Sequence, residues 1–136
     1  MAENTIKVDI ISPDRIFYEG EATLVEIVTS EGEIGIYPGY IPMTNILKPG
    51  IMKVYQGNTV KCAALHEGFA EILPDKIPIL AETAEWPEEI DVERAKASKE
   101  RAKKRLSASP GSIDVARAEL SLHRALIRIE LAQRYK

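Results

Sequence analysis

Pro87-Glu88-Glu89-Ile90-Asp91-Val92-Glu93-Arg94-Ala95-Lys96 is the stretch in which this chain changes character. Seven of its eight prolines and seven of its eight glycines lie at or before Pro87, and beyond that point the only breaker pair is Pro110-Gly111. Upstream, turn residues recur at intervals of roughly eight to twelve positions, the punctuation of an all-β sandwich or barrel. Downstream, the sequence reads as two helices joined by one short turn. The pattern predicts an α+β chain: an antiparallel β-sandwich over residues 1–84, a linker over 85–90 and an antiparallel α-helical hairpin over 91–136.

Charge divides at almost the same point. Residues 1–93 hold 6 Lys+Arg against 17 Asp+Glu, whereas residues 94–136 hold 12 against 4. Such polarity points to contact with other macromolecules. At 136 residues the chain is one ordinary domain, or one domain with an appendage too small to own a core. Cys62 is the single cysteine and sits in an alternating apolar run, so a disulfide framework is excluded and a reduced, intracellular setting is favoured. The polar start Met1-Ala2-Glu3-Asn4 has no apolar leader segment behind it. No run approaches the ~18–20 apolar residues of a membrane span, so direct insertion is not expected and membrane association would come through partners.

In the first part, Ile6, Val8 and Ile10 alternate with Lys7 and Asp9 and present one apolar face to a core. Further strands are expected at 24–28, 51–55, 60–65, 69–73 and 77–80, with Gln56-Gly57-Asn58 and Pro74-Asp75-Lys76 at hairpin positions. Between the early and late strands, residues 31–42 carry glycine and proline too densely for a plain strand and read as a loop with contact-bearing backbone.

In the second part, Asp91 is a candidate N-cap, since its carboxylate can accept from the free N–H groups of a first helix over residues 92–106. Residues 107–112 make the turn, and Ser112 or Asp114 caps a second helix. Along that helix Val115, Ala118, Leu122, Ala125, Ile129 and Ala132 step alternately three and four, a heptad seam. Val92, Ala95, Ala102 and Leu106 answer it on the first helix, interrupted by Lys99. Leu120, Ile127 and Leu131 form a second stripe that needs another cover. Two such helices bury too little to be stable alone, because helices draw their stability mainly from tertiary packing. A hairpin with a weak seam is either docked permanently or able to exchange one dock for another.

Residues 94–105 contain seven basic side chains against one acid, Glu100. A run of this kind is ordinarily a solvated face. Nucleic acid is disfavoured by the acidic first part and the lack of interleaved aromatics; an acidic protein patch is the third reading. Arg101, Arg124 and Arg128 have no acid three or four residues away, and Arg94 has only the capping Asp91. Paired antiparallel, the helices would gather guanidiniums suited to phosphate, or simply expose ordinary arginines.

Glu31-Gly32-Glu33-Ile34-Gly35-Ile36 running into Pro38-Gly39, the Leu47-Lys48-Pro49-Gly50 turn, Gly68-Phe69-Ala70-Glu71-Ile72, and Ile90-Asp91-Val92-Glu93-Arg94-Ala95 occur in the order seen in the epsilon subunit of bacterial F-type ATP synthases. The resemblance spans the whole chain. Tyr37 and Tyr40 stand where that family usually has Leu and His, and His66-Glu67 where it usually has small residues. The resemblance implies a non-catalytic rotor-stalk subunit of a proton-translocating ATP synthase, lying at the cytoplasmic face of the plasma membrane. Its implied partners are the gamma subunit, the c subunits of the rotor ring, and the alpha and beta subunits of the catalytic head. It also implies a mobile hairpin that inhibits ATP hydrolysis, with Lys99, Arg101, Lys103, Lys104 and Arg105 facing an acidic segment of the beta subunits. Some members bind ATP without catalysis through Ile/Leu-Asp-x-x-Arg-Ala. Here Ile90, Asp91, Arg94 and Ala95 match that motif, and Glu85, Arg101, Arg124 and Arg128 fall at matching positions. ATP would be a regulatory ligand; no cofactor is required.

Two rival classes are weighed by the residues themselves. An enzyme is disfavoured because His66 and His123 lie in different parts, no metal-ligand spacing or Ser-centred nucleophile appears, and no glycine-rich phosphate loop is present. A free-standing β-sandwich binding module with no rotary role would have no need of a charge-polarised hairpin.

Overall fold

The computed structural model describes residues 4–108 and 114–135. The chain divides into two compact units, one ending at Glu85 and the other beginning at Trp86.

Among the described residues the first unit holds eight strands: β1 Ile6–Ser12, β2 Arg15–Ala22, β3 Leu24–Thr29, β4 Gly32–Ile36, β5 Met43–Leu47, β6 Gly50–Gln56, β7 Thr59–Ile72 and β8 Lys76–Glu85. Their hydrogen-bonded order is β2-β1-β8-β7-β5-β3-β4, with β6 joining β3 to β7. All pairings are antiparallel except β1 with β8, which run parallel. No hairpin ties the first strand to the last, so their direction is free of the constraint a tight turn imposes. Val8, Ile10, Val25, Ile36, Val54, Ile72, Ile77 and Ile79 are completely buried and form the core.

β7 is one 14-residue strand where the sequence predicts two. Its first half pairs with β6, from Gln56↔Thr59 to Gly50↔Leu65, and its second half with β5, from Leu47↔Gly68 to Met43↔Ile72. Gly68, at φ 151°, stands where the partner changes. Its glycine bends the strand between layers instead of ending it. β4 likewise lies inside the stretch expected to be loop. Thr29 Oγ1 donates to the Gly32 carbonyl and accepts from Glu31 N–H, at 2.8 and 3.1 Å, and Gly32 at φ 113° completes the turn that lays β4 on β3. β4 ends the sheet path, where glycine costs a strand least.

The second unit begins with a 3-10 turn at Pro87–Glu89 in which Glu89 Oε1 accepts from Trp86 N–H at 2.9 Å. Helix α1 spans Val92–Ser107 and α2 Val115–Tyr135. Asp91 caps α1 as expected, its Oδ1 accepting from Arg94 N–H at 3.1 Å. Asp114 does the same for α2, accepting from Arg117 N–H at 3.1 Å. Ser112, the other cap candidate, and the Pro110-Gly111 turn lie outside the described residues. The helices pack on each other, and α2 also packs on the 3-10 turn. Ala95 and Ala102 on α1, and Ala118, Ala125 and Ala132 on α2, are buried at seven-residue steps, the expected seam. Val115 departs from it and is exposed, and of the second stripe only Leu131 is fully buried.

Candidate functional site

The nucleotide-binding candidates divide between the units. In the hairpin unit, Ile90 and Ala95 are buried, Asp91 gives its Oδ1 to the helix cap, and Arg94 and Arg101 are exposed two turns apart on α1. Arg124 and Arg128 lie half-buried one turn apart on α2. The expectation of unspent guanidinium donors needs correction at Arg101, whose Nη2 donates to Ser98 Oγ at 2.9 Å. A hydroxyl three residues away serves where no acid stands three or four residues away. Arg124 and Arg128 are each engaged as well. In the sandwich unit, Glu85 ends β8 with its Oε1 3.2 Å from His66 Nε2.

The inhibitory candidates Lys99, Arg101, Lys103, Lys104 and Arg105 all lie on α1. Lys99 is half-buried and the other four are exposed. Lys104 and Arg105 fall in the last turn, where the negative end of the helix dipole favours cations. Arg105 also lines, with Asp114, Arg117 and Ala118, an open depression in a part of the hairpin that holds none of the nucleotide candidates. Among the described residues, no group of three or more His, Cys, Asp or Glu side chains is placed to hold a metal ion, and no helix is long and apolar enough to cross a membrane.

Register reveals a feature that the sequence pattern did not single out. Ile46 is opposite Phe69, Phe69 opposite Leu80, Leu80 opposite Ile11, and Ile11 opposite Ile16. Cross-strand partners share a face. These five side chains therefore form one row across β5, β7, β8, β1 and β2, and each is between 40 and 64 % exposed. The available signal was a set of apolar doublets: Ile10-Ile11, Ile16-Phe17, Ile46-Leu47, Phe69-Ala70 and Ile79-Leu80. In a strand only one member of a doublet can enter the core. Ile10, Phe17, Leu47, Ala70 and Ile79 do so, and their neighbours form the row. A second exposed apolar group, Tyr37, Ile41 and Met43, occupies the segment between β4 and the start of β5.

Comparison with known proteins agrees with this two-part organisation. The family model for the ATP synthase delta/epsilon chain beta-sandwich domain matches residues 5–87, and that for the delta/epsilon chain long alpha-helix domain matches residues 88–133. The ATP synthase epsilon chain of Halalkalibacterium halodurans is 47% identical over 131 residues, 96% of this chain and 98% of that one. The epsilon chain of Desulforamulus reducens is 41% identical over 129 residues, 95% of this chain and 98% of that one. Among solved structures, a chain of the Euglena gracilis mitochondrial ATP synthase, in an OSCP/F1/c-ring assembly in rotational state 1, superposes with a TM-score of 0.82 at 26% identity, covering 96% of this chain and 82% of that chain. With both parts matched by family models and curated relatives similar over nearly their whole length, the chain belongs to the ATP synthase delta/epsilon chain family.

Proposed function

We propose that the sandwich fastens this chain to the rotor through its row of exposed apolar side chains while the hairpin acts as an ATP-responsive restraint on hydrolysis. Family membership carries the coarse function: the chain is a non-catalytic stalk subunit of ATP synthase, and the catalytic sites belong to the beta subunits. The row Ile16, Ile11, Leu80, Phe69 and Ile46 is the observation that carries the docking step, since a contiguous exposed apolar strip marks a protein interface. In this reading the gamma subunit covers the row. The c ring meets the second apolar group around Tyr37 and Ile41. Relatives from bacteria support a place at the cytoplasmic face of the plasma membrane, held there through the c ring.

For the hairpin, the exposed cations of α1 supply an attraction to acidic surface on the alpha and beta subunits. The guanidiniums of Arg94, Arg101, Arg124 and Arg128, with Asp91 and the backbone of residues 90–95, supply a site for ATP. Packing of α1 on α2 supports this grouping, because it puts all four arginines on one pair of helices. ATP that binds only the folded-back hairpin would draw it away from the catalytic head and relieve the restraint. The test is ATP hydrolysis by the holoenzyme assembled with the full chain or with a chain ending at Glu89. The shortened chain should join the complex and raise hydrolysis. Equal hydrolysis would remove the restraint, and failure to join would remove docking by the sandwich alone.

A further inference from the structure

The apolar row of the sandwich has an acidic border. Residues two apart on a strand share a face, so Glu71 stands beside Phe69 on β7 and Asp9 beside Ile11 on β1. Register extends the line: Glu71 is opposite Thr44, and Asp9 is opposite both Pro78 and Glu19. Three carboxylates, Glu71, Asp9 and Glu19, therefore flank the row on one side. On the other side Glu82 stands two residues beyond Leu80 on β8. Glu19, Glu71 and Glu82 are exposed, and among the described residues their carboxylates make no ion pair or hydrogen bond.

This border works against the free chain. Asp9 and Glu19 are like charges directly opposite each other, an arrangement that destabilises a strand pair. Asp9 Oδ1 is buried without a hydrogen-bond partner, a further cost to folding. Its Oδ2 has Lys7 Nζ at 3.9 Å, but that lysine side chain is 60 % exposed, and pairs of this kind contribute little. Lys7 and Lys76, opposite each other, stand one step farther from the apolar residues. Folding alone would favour uncharged side chains beside the row.

We infer that the partner covering the row presents an apolar ridge bordered by lysine or arginine side chains, which settle against Glu19, Asp9 and Glu71. The inference rests on the reading of the row as the face that gamma covers, and adds the chemistry that gamma brings to it. Apolar contact holds the complex together. Opposed charges at its margin speed the encounter and fix the register, since such charges act on association rate and specificity more than on affinity.

The test is binding of the full chain to immobilised gamma-containing rotor at low and high salt. Wild type is compared with Glu19→Gln/Glu71→Gln, Glu100→Gln/Glu119→Gln and Ile16→Ser/Ile46→Ser, with thermal unfolding and sedimentation recorded for each. Glu19→Gln/Glu71→Gln should associate roughly three- to tenfold more slowly at low salt, with dissociation little changed. The difference should vanish at high salt, where exposed charges are screened. Its melting temperature should equal or exceed that of wild type. Glu100→Gln/Glu119→Gln removes the same charge from the second unit and should associate within about twofold of wild type. A wild-type rate in Glu19→Gln/Glu71→Gln, alongside weak binding by Ile16→Ser/Ile46→Ser, overturns the basic border and leaves the row as the docking face. Equal slowing by both glutamine pairs does the same, because net charge alone would explain it. A lowered melting temperature in Glu19→Gln/Glu71→Gln assigns the carboxylates to the fold and also overturns the inference. Wild-type binding by Ile16→Ser/Ile46→Ser overturns the docking reading and the inference with it. So does a wild-type chain that sediments as a dimer and becomes a monomer in Ile16→Ser/Ile46→Ser, which gives the row to a second copy.

Discussion

A methyl group built on the α-carbon of Gly68 would lie 1.9 Å from the carbonyl oxygen of Leu80, far inside contact distance. Gly68 sits at the point where β7 leaves β6 and takes up β5 as its partner, so neither strand can retreat without breaking the ladder. Its φ of 151° adds backbone strain for any residue with a β-carbon. Gly68→Ala should therefore destabilise the sandwich by roughly 3 kcal/mol or more, in the range of the most damaging single substitutions. Urea unfolding followed by a signal from the sandwich would measure it. A midpoint equal to wild type would mean that β8 yields to the methyl group.

The apolar row gives a prediction in which stability and assembly separate. Ile16 and Ile46 lie at its two ends and are each more than half exposed. Changing both to Ser gives up little folding energy, within about 1 kcal/mol, because most of their surface is already in water. Binding to a gamma-containing rotor should nevertheless weaken by about tenfold or more, since the buried part of an interface holds most of its affinity. Surface-immobilised rotor titrated with wild-type and doubly substituted chain reads the difference. Unchanged binding would show that the row faces water in the complex.

What the sequence disclosed, and what it withheld, follows from the range of the interactions. Asp91 was legible as a cap because the bond it makes reaches only to Arg94, three residues away. The alanine seam was legible because a heptad repeat is local to each helix. β4 was not, since Gly32 to Ile36 become a strand by pairing with β3. The row of Ile11, Ile16, Ile46, Phe69 and Leu80 lies still further from local pattern: it exists only once five strands are in register. His66 is similar. Its partner Glu85 is 19 residues away, and only the antiparallel pairing of β7 and β8 brings them together. The arginines were legible in spacing, but the Ser98 hydroxyl that takes a donor of Arg101 carries no charge to mark it as a partner.

The proposed restraint on hydrolysis rests on the cations of α1. Replacing Lys99, Arg101, Lys103, Lys104 and Arg105 together by Ala should leave the sandwich folded and raise ATP hydrolysis by the holoenzyme. Alanine is the best helix former, which offsets the loss of Lys104 and Arg105 from the last turn, so helix content measured by circular dichroism should change little. Added salt should bring the wild-type complex toward the substituted one, because exposed charges are screened over a Debye length of about 8–10 Å. Hydrolysis that is the same in both complexes at low salt would rule out an electrostatic restraint by this face.

Binding of ATP to the isolated full chain should be saturable and of modest strength. Hydrogen bonds to charged groups contribute roughly 1.5–3 kcal/mol each, and four guanidiniums offer several. Association and the ordering of a two-helix unit cost about 4 kcal/mol or more, and part of the donor capacity of Arg101 is already committed to Ser98. The balance corresponds to a Kd on the order of micromolar to millimolar. Arg94→Ala combined with Arg128→Ala removes one guanidinium from each helix and should reduce affinity at least about tenfold, while the Asp91 cap, made to the Arg94 backbone, is preserved. Calorimetric titration of wild type and double variant side by side decides it. Saturable heat lost in the variant supports the site, and heat that survives unchanged places ATP elsewhere on the chain.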